Sequence, residues 1–164
     1  MKKIILIGFA TSGKSSVGRL LAAKLNTELV DTDQELEREL GMTIQQIFDE
    51  QGEAYFRAKE TQLLLSLSPR RDLVVACGGG CVLSDRFEDF AKDSVVVWLT
   101  ATTETVQNRL GNTARPLFDL LSREQLEHYV NSRAPLYQRY AQVVIATDDL
   151  SVEQIADSIM QYVK

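Results

Sequence analysis

Residues 8–15 read Gly8-Phe9-Ala10-Thr11-Ser12-Gly13-Lys14-Ser15 and match GxxxxGK[ST] at every fixed position. The apolar stretch Lys2 to Gly8 leads into them, and behind them Val17, Leu20, Leu21 and Leu25 recur at helical spacing. Strand, glycine-rich turn, helix is the setting in which this pattern binds phosphate. The glycines let main-chain N–H groups point inward, and the helix N-terminus adds partial positive charge. Lys14 supplies a compact cation for the β and γ phosphates, and the Ser15 hydroxyl a ligand for Mg²⁺. The competing reading is a turn that merely joins a strand to a helix, and a full match in this context tells against it. The cradle does not name the reaction, since ATPases, GTPases and kinases share it.

Outward from the cradle, four further apolar runs follow: Glu28 to Asp31, Leu73 to Cys77, Ser94 to Leu99 and Gln142 to Ala146. Most lack strict alternation, which suits strands buried on both faces. Helical patterns lie between them, so the sequence predicts an α/β fold with a parallel sheet wrapped by helices. Thr43 with Gln46, Ser122 with Gln125 and Ser151 with Gln154 each fit a capping box at a helix start. Gly41 and Gly52 stand where helices should end. With 164 residues, 45% of them hydrophobic, the chain is expected to form one domain over residues 1–164. Gly111 to Leu117 interrupts the helical period while Arg109 and Arg115 bring charge, which reads as a mobile loop between two helices.

A net charge of −5 argues against a broad surface for nucleic acid. The only cysteines, Cys77 and Cys81, flank a glycine run, and the chain has a single histidine, which rules out a zinc site of the usual ligand spacing. They read as small buried hydrophobes, and the lack of a disulfide framework points to the reducing cytoplasm. No apolar run is long enough to cross a membrane.

The acceptor side is read from four places. The second strand runs into Asp31-Thr32-Asp33, and i, i+2 spacing sends both carboxylates off the same face at the carboxyl edge of the sheet. One can hold Mg²⁺ or its waters, and the other can bind an acceptor hydroxyl and take its proton. Alternatively Asp33 caps the following helix and Asp31 is solvated. Arg57 and Glu60 stand at i, i+3, so the carboxylate can orient a guanidinium that grips an anion, although a solvated surface pair has the same spacing. Gly78-Gly79-Gly80 ends the third strand and leaves room for a ligand against the backbone. Arg133-Ala134-Pro135-Leu136-Tyr137 closes the later helical stretch, where Arg133 is either a carboxylate clamp or an ordinary surface arginine.

Taken in order, GxxxxGKS, Asp31-Thr32-Asp33, GExxFRxxE from Gly52 to Glu60, Gly78-Gly79-Gly80, Arg115-Pro116 and RxPLY from Arg133 to Tyr137 resemble the shikimate kinases, from Lys2 to about Ile159. The resemblance implies a three-layer αβα P-loop fold of the nucleoside monophosphate kinase group, with five parallel strands in the order 2-3-1-4-5. It implies an acceptor-binding region at about residues 32–61 and a lid at about 110–122. The reaction would be transfer of the ATP γ-phosphoryl group to the 3-hydroxyl of shikimate, with Mg²⁺, by a cytoplasmic monomer that binds neither nucleic acid nor membrane. Gly8, Gly13, Lys14, Ser15 and Ser16 would hold the nucleotide, Arg109 would lie against the adenine, and Arg115 would reach the phosphates. Asp33 would bind the shikimate hydroxyls and act as or near the base, Ser15 and Asp31 would serve the metal, and Arg57, Arg133, Gly79 and Gly80 would bind the rest of shikimate, with Glu60 orienting Arg57.

Three departures concern the nucleotide. Thr11 stands where the family usually has glycine, the stretch from Arg109 to Arg115 is about a residue short, and no proline occurs from Thr147 to Val152. A kinase of the same group with a gluconate-type acceptor, a GTPase switch and a catalytically silent nucleotide-binding module are the alternatives; the absence of NKxD tells against the switch.

Overall fold

The computed structural model of the chain describes residues 1–110 and 122–163. Five strands, β1 (Ile4–Ile7), β2 (Glu28–Asp31), β3 (Leu73–Ala76), β4 (Val95–Thr100) and β5 (Val143–Ala146), form one sheet in the order β2-β3-β1-β4-β5. Every pairing is parallel, with Ile5 opposite Val75 and Val96 and Val97 opposite Val143. The described helices are α1 (Lys14–Lys24), α2 (Thr32–Leu40), α3 (Ile44–Gln51), α4 (Glu53–Leu67), α5 (Phe87–Ala91), α6 (Thr103–Leu110), α7 (Arg123–Tyr140) and α8 (Val152–Val163).

The pleat of β1 explains the layers. Successive side chains point to opposite faces, so Ile5 and Ile7 join Val75, Phe87 and Phe90 under α4, α5 and α7, while Ile4 and Leu6 join Val17, Leu21, Ile155 and Ile159 under α1 and α8. All four β1 residues are buried, which is why the run shows no alternation. Each such aliphatic side chain contributes about 1.5–3 kcal/mol on leaving water.

Helix ends follow the local signals. Thr43 and Ser122 make reciprocal capping boxes with Gln46 and Gln125. The Ser151 hydroxyl likewise accepts from Gln154 N at 3.1 Å, and the Gln154 side chain accepts from Ser151 N at 2.9 Å. Two expectations shift. The helix carrying Arg133 passes through Pro135 to Tyr140, because Tyr137 is buried and Leu136 packs against the core beneath it. The second strand ends at Asp31, as its apolar run does, but Asp33 lies in the first turn of α2 instead of leaving the strand beside Asp31, because the Asp31 carboxylate caps that helix, accepting from Gln34 N at 3.1 Å. No described helix is long and apolar enough to cross a membrane. Residues 111–121 of the expected lid, Arg115 among them, lie outside the described residues.

Candidate active site

Every strand delivers its chain to the same edge, and the turns after β1, β2 and β3 enclose two adjoining pockets there. The turn after β1 is the phosphate cradle. Gly8 has φ 147, and a side chain there would meet the Leu99 carbonyl oxygen at 2.5 Å. Gly13 precedes α1 with no side-chain cap, which leaves the N–H groups of the first turn for an anion. Lys14 is 8% exposed, and its ammonium donates to the carbonyls of Gly8 at 2.8 Å and Phe9 at 2.9 Å. The cation is thereby held at the mouth of the cradle. Ser15 donates to Asp31 Oδ2 at 2.5 Å, and exposed Ser16 lies on the rim. Together with Asp33 and Arg109 these groups line a cleft of about 390 Å³.

Arg109 reaches this cleft from α6 and spans two loops. It donates from Nη1 to the Thr11 carbonyl at 2.9 Å and to Thr147 Oγ1 at 3.2 Å, and from Nη2 to the Thr147 carbonyl at 3.4 Å. Thr147, fully buried, stands in the segment that lacks the expected proline. Thr11 has φ 69, the left-handed region, where a β-branched residue is strained.

The second pocket, of about 120 Å³, lies between α4, α7 and the turn after β3. Asp33, Arg57 and Arg133 line it with Phe48, Phe56 and Tyr129. Asp33 belongs to the first turn of α2, so helical rather than strand geometry sets it relative to Asp31, yet it lines both pockets. Glycines explain the close approach: a methyl at Gly78 would collide with the Asp33 carboxylate, and one at Gly80 with the Arg57 guanidinium. Gly79 presents its carbonyl to Arg133 and Tyr137.

The Arg57–Glu60 pair is no surface pair. Glu60 is 1% exposed and accepts from Arg57 Nη1 at 3.0 Å and from the Cys81 thiol at 3.4 Å. Burial pushes the Glu60 carboxyl above its ordinary value, and the Arg57 charge offsets that only in part. The thiol of buried Cys81 is held protonated by its hydrogen bond with Cys77 and by burial, in keeping with an unreactive cysteine.

Three polar residues escaped the sequence reading. Thr32, between the two aspartates, accepts from Gly78 N at 2.8 Å and so ties the turn after β3 to the start of α2. Tyr129 and Tyr137 flank Arg133 on α7. Only Tyr137 had a signal, its place in RxPLY.

Two buried polar side-chain atoms among the described residues lack a hydrogen-bond partner, Thr11 Oγ1 and Arg57 Nε, one at each pocket. Such atoms are costly unless a ligand satisfies them. A nucleotide fits the cradle on that ground and on the close quarters at Gly8. No described cluster of three or more His, Cys, Asp or Glu side chains forms a metal cage. Mg²⁺ needs none, because it takes one or two protein oxygens beside waters and phosphate, and Ser15 with Asp31 offers that set.

A family model described as shikimate kinase matches residues 10–164. The shikimate kinase of Thermodesulfovibrio yellowstonii is 38% identical over 98% of this chain and 94% of its own length. That of Persephonella marina is 38% identical over 98% of each chain. A solved shikimate kinase from Acinetobacter baumannii, in complex with shikimate, superposes with a TM-score of 0.86 at 35% identity, over 99% of this chain and 93% of that one. A full-length match of this kind, on a chain whose cradle, paired pockets and buried Arg57–Glu60 contact fall where the motifs put them, decides the question: this chain belongs to the shikimate kinase family.

Proposed function

We propose that the chain transfers the γ-phosphoryl group of ATP to the 3-hydroxyl of shikimate, a step of aromatic amino-acid biosynthesis, as a cytoplasmic monomer. The observation that carries this reading is the place of Asp33, whose side chain lines both the phosphate cleft and the acceptor pocket. ATP supplies the phosphoryl group, and Ser15 with Asp31 would hold Mg²⁺, which when bound would offset charge on the phosphate oxygens. Lys14 binds the phosphates from the position in which the Gly8 and Phe9 carbonyls hold its ammonium. Arg57 and Arg133 grip the acceptor's carboxylate, with Glu60 fixing the Arg57 fork from within the core. Gly79 and Gly80 meet the acceptor through the backbone. So held, the acceptor turns a hydroxyl toward the cleft, and Asp33 accepts its proton as the oxygen bonds to the γ-phosphorus and the bond from that phosphorus to the β,γ-bridging oxygen breaks, leaving ADP. Arg109 borders the adenine side, and Arg115 is assigned to the phosphates by the family motif, within a lid at about residues 110–122.

The test is the product. Incubation with ATP, Mg²⁺ and shikimate should yield one phosphorylated species, with phosphorus coupled to the proton at carbon 3 in NMR spectra. Phosphorylation of gluconate with none of shikimate would overturn the reading.

A further inference from the structure

The turn after β3 holds an arrangement that the residues assigned so far leave unexplained. The Gly79 carbonyl accepts two hydrogen bonds, from Arg133 Nη1 at 3.0 Å and from the Tyr137 hydroxyl at 2.6 Å. Arg133 also donates from Nη2 to the Tyr129 hydroxyl at 2.8 Å, with its guanidinium 4.9 Å from the centre of that ring. The guanidinium assigned to the acceptor is thus engaged with a main-chain oxygen. Turning the fork to face a carboxylate through both Nη groups gives up that bond. A carbonyl with two donors can release one cheaply, whereas a carbonyl with a single donor would be left unsatisfied beneath the ligand.

We propose that Tyr137 is a positioning residue for the acceptor: its hydroxyl holds the Gly79 carbonyl in place and so frees Arg133 to turn to the acceptor's carboxylate. This rests on the reading of Arg133 as a carboxylate clamp. Three features support it. Tyr137 lies four residues beyond Arg133 on α7, one helical turn, so both side chains reach the same oxygen from one face. The Tyr137 ring is 2% exposed and packs on Trp98, centroids 5.7 Å apart, which fixes the direction of the hydroxyl. Burial pushes the phenol well above its ordinary value, so it stays a donor throughout the working pH range.

Trp98 is the only tryptophan and packs on Tyr137, so its fluorescence reports the acceptor site without nucleotide or turnover. Shikimate titrated into wild type and Tyr137→Phe should show the dissociation constant raised roughly fivefold, the worth of one hydrogen bond. Affinity for a non-hydrolysable ATP analogue should stay within about twofold, since no nucleotide contact is lost. A lower melting temperature with unchanged shikimate affinity would make the hydroxyl a matter of packing alone and overturn the proposal. Arg133→Met that binds shikimate as tightly as wild type would instead defeat the clamp reading beneath it. Should Tyr137→Phe not fold, amide exchange in the wild type decides. Residues 78–81 should stay protected when shikimate binds, and faster exchange there would contradict a carbonyl held by Tyr137.

Discussion

Asp33 sits where the nucleotide cleft and the acceptor pocket share a wall, and Gly78 is a glycine because the Asp33 carboxylate occupies the space of a side chain. If that carboxylate takes the acceptor proton, Asp33→Asn should lower kcat by about 10²–10⁴-fold, the usual worth of a positioned general base. ATP affinity measured by calorimetry should be kept, and unchanged turnover would remove Asp33 from the chemistry. Thr11 makes a separate prediction. It holds φ 69 in a region that costs a non-glycine residue about 1–2 kcal/mol, and its buried Oγ1 has no partner. Thr11→Gly gives up about 0.5–1 kcal/mol through the freedom of glycine in the unfolded chain. The net is a stabilisation of about 1 kcal/mol, or ~2–4 °C in Tm for a chain of this size, read by calorimetry. A lower Tm would mean that the contacts of the threonine methyl outweigh the strain.

Helix α4 shows what spacing alone conceals. Arg57 and Glu60 at i, i+3 read equally well as a solvated pair, and only the packing of α4 against the turn after β3 buries Glu60 and hands it the Cys81 thiol as a second donor. Because burial holds the Glu60 carboxyl above its ordinary value, the folded chain keeps a proton that the unfolded chain has lost, over the interval between the two values. The stability from that neutral form is complete below the ordinary value and is lost as pH rises through the raised one. Glu60→Gln lacks the titration. Wild-type stability relative to this variant, from urea unfolding between about pH 4 and 7, should therefore fall as pH rises. A difference that grows in favour of wild type would show that the Arg57 charge, rather than burial, dominates. The strands were readable as elements because apolar runs buried on both faces leave a local mark. The place of Asp33 was not, since Asp31 serves as a helix cap, and two carboxylates at i, i+2 look alike on a strand and at a helix start until the backbone turns.

At the scale of the whole molecule, the parallel sheet brings residues from distant parts of the chain to one edge. Lys14, Asp33, Gly79 and Arg133 are far apart in sequence yet line two touching pockets, and the ordered motifs carried that convergence because each follows a strand or rides the helix behind it. What the motifs could not carry is the support beneath them: Thr32 holding Gly78, Arg109 tying the cradle to Thr147, and Tyr137 under Gly79. Those contacts depend on how helices lie across the sheet, which periodicity does not fix. On this arrangement the cleft and the acceptor pocket act as one site through Asp33. ADP release from ATP and Mg²⁺, followed with and without shikimate, tests it most directly. Release should be slow with ATP alone and rise roughly a hundredfold or more, the scale of general-base assistance, when shikimate is added; a rate indifferent to shikimate would mean that the two pockets do not act together.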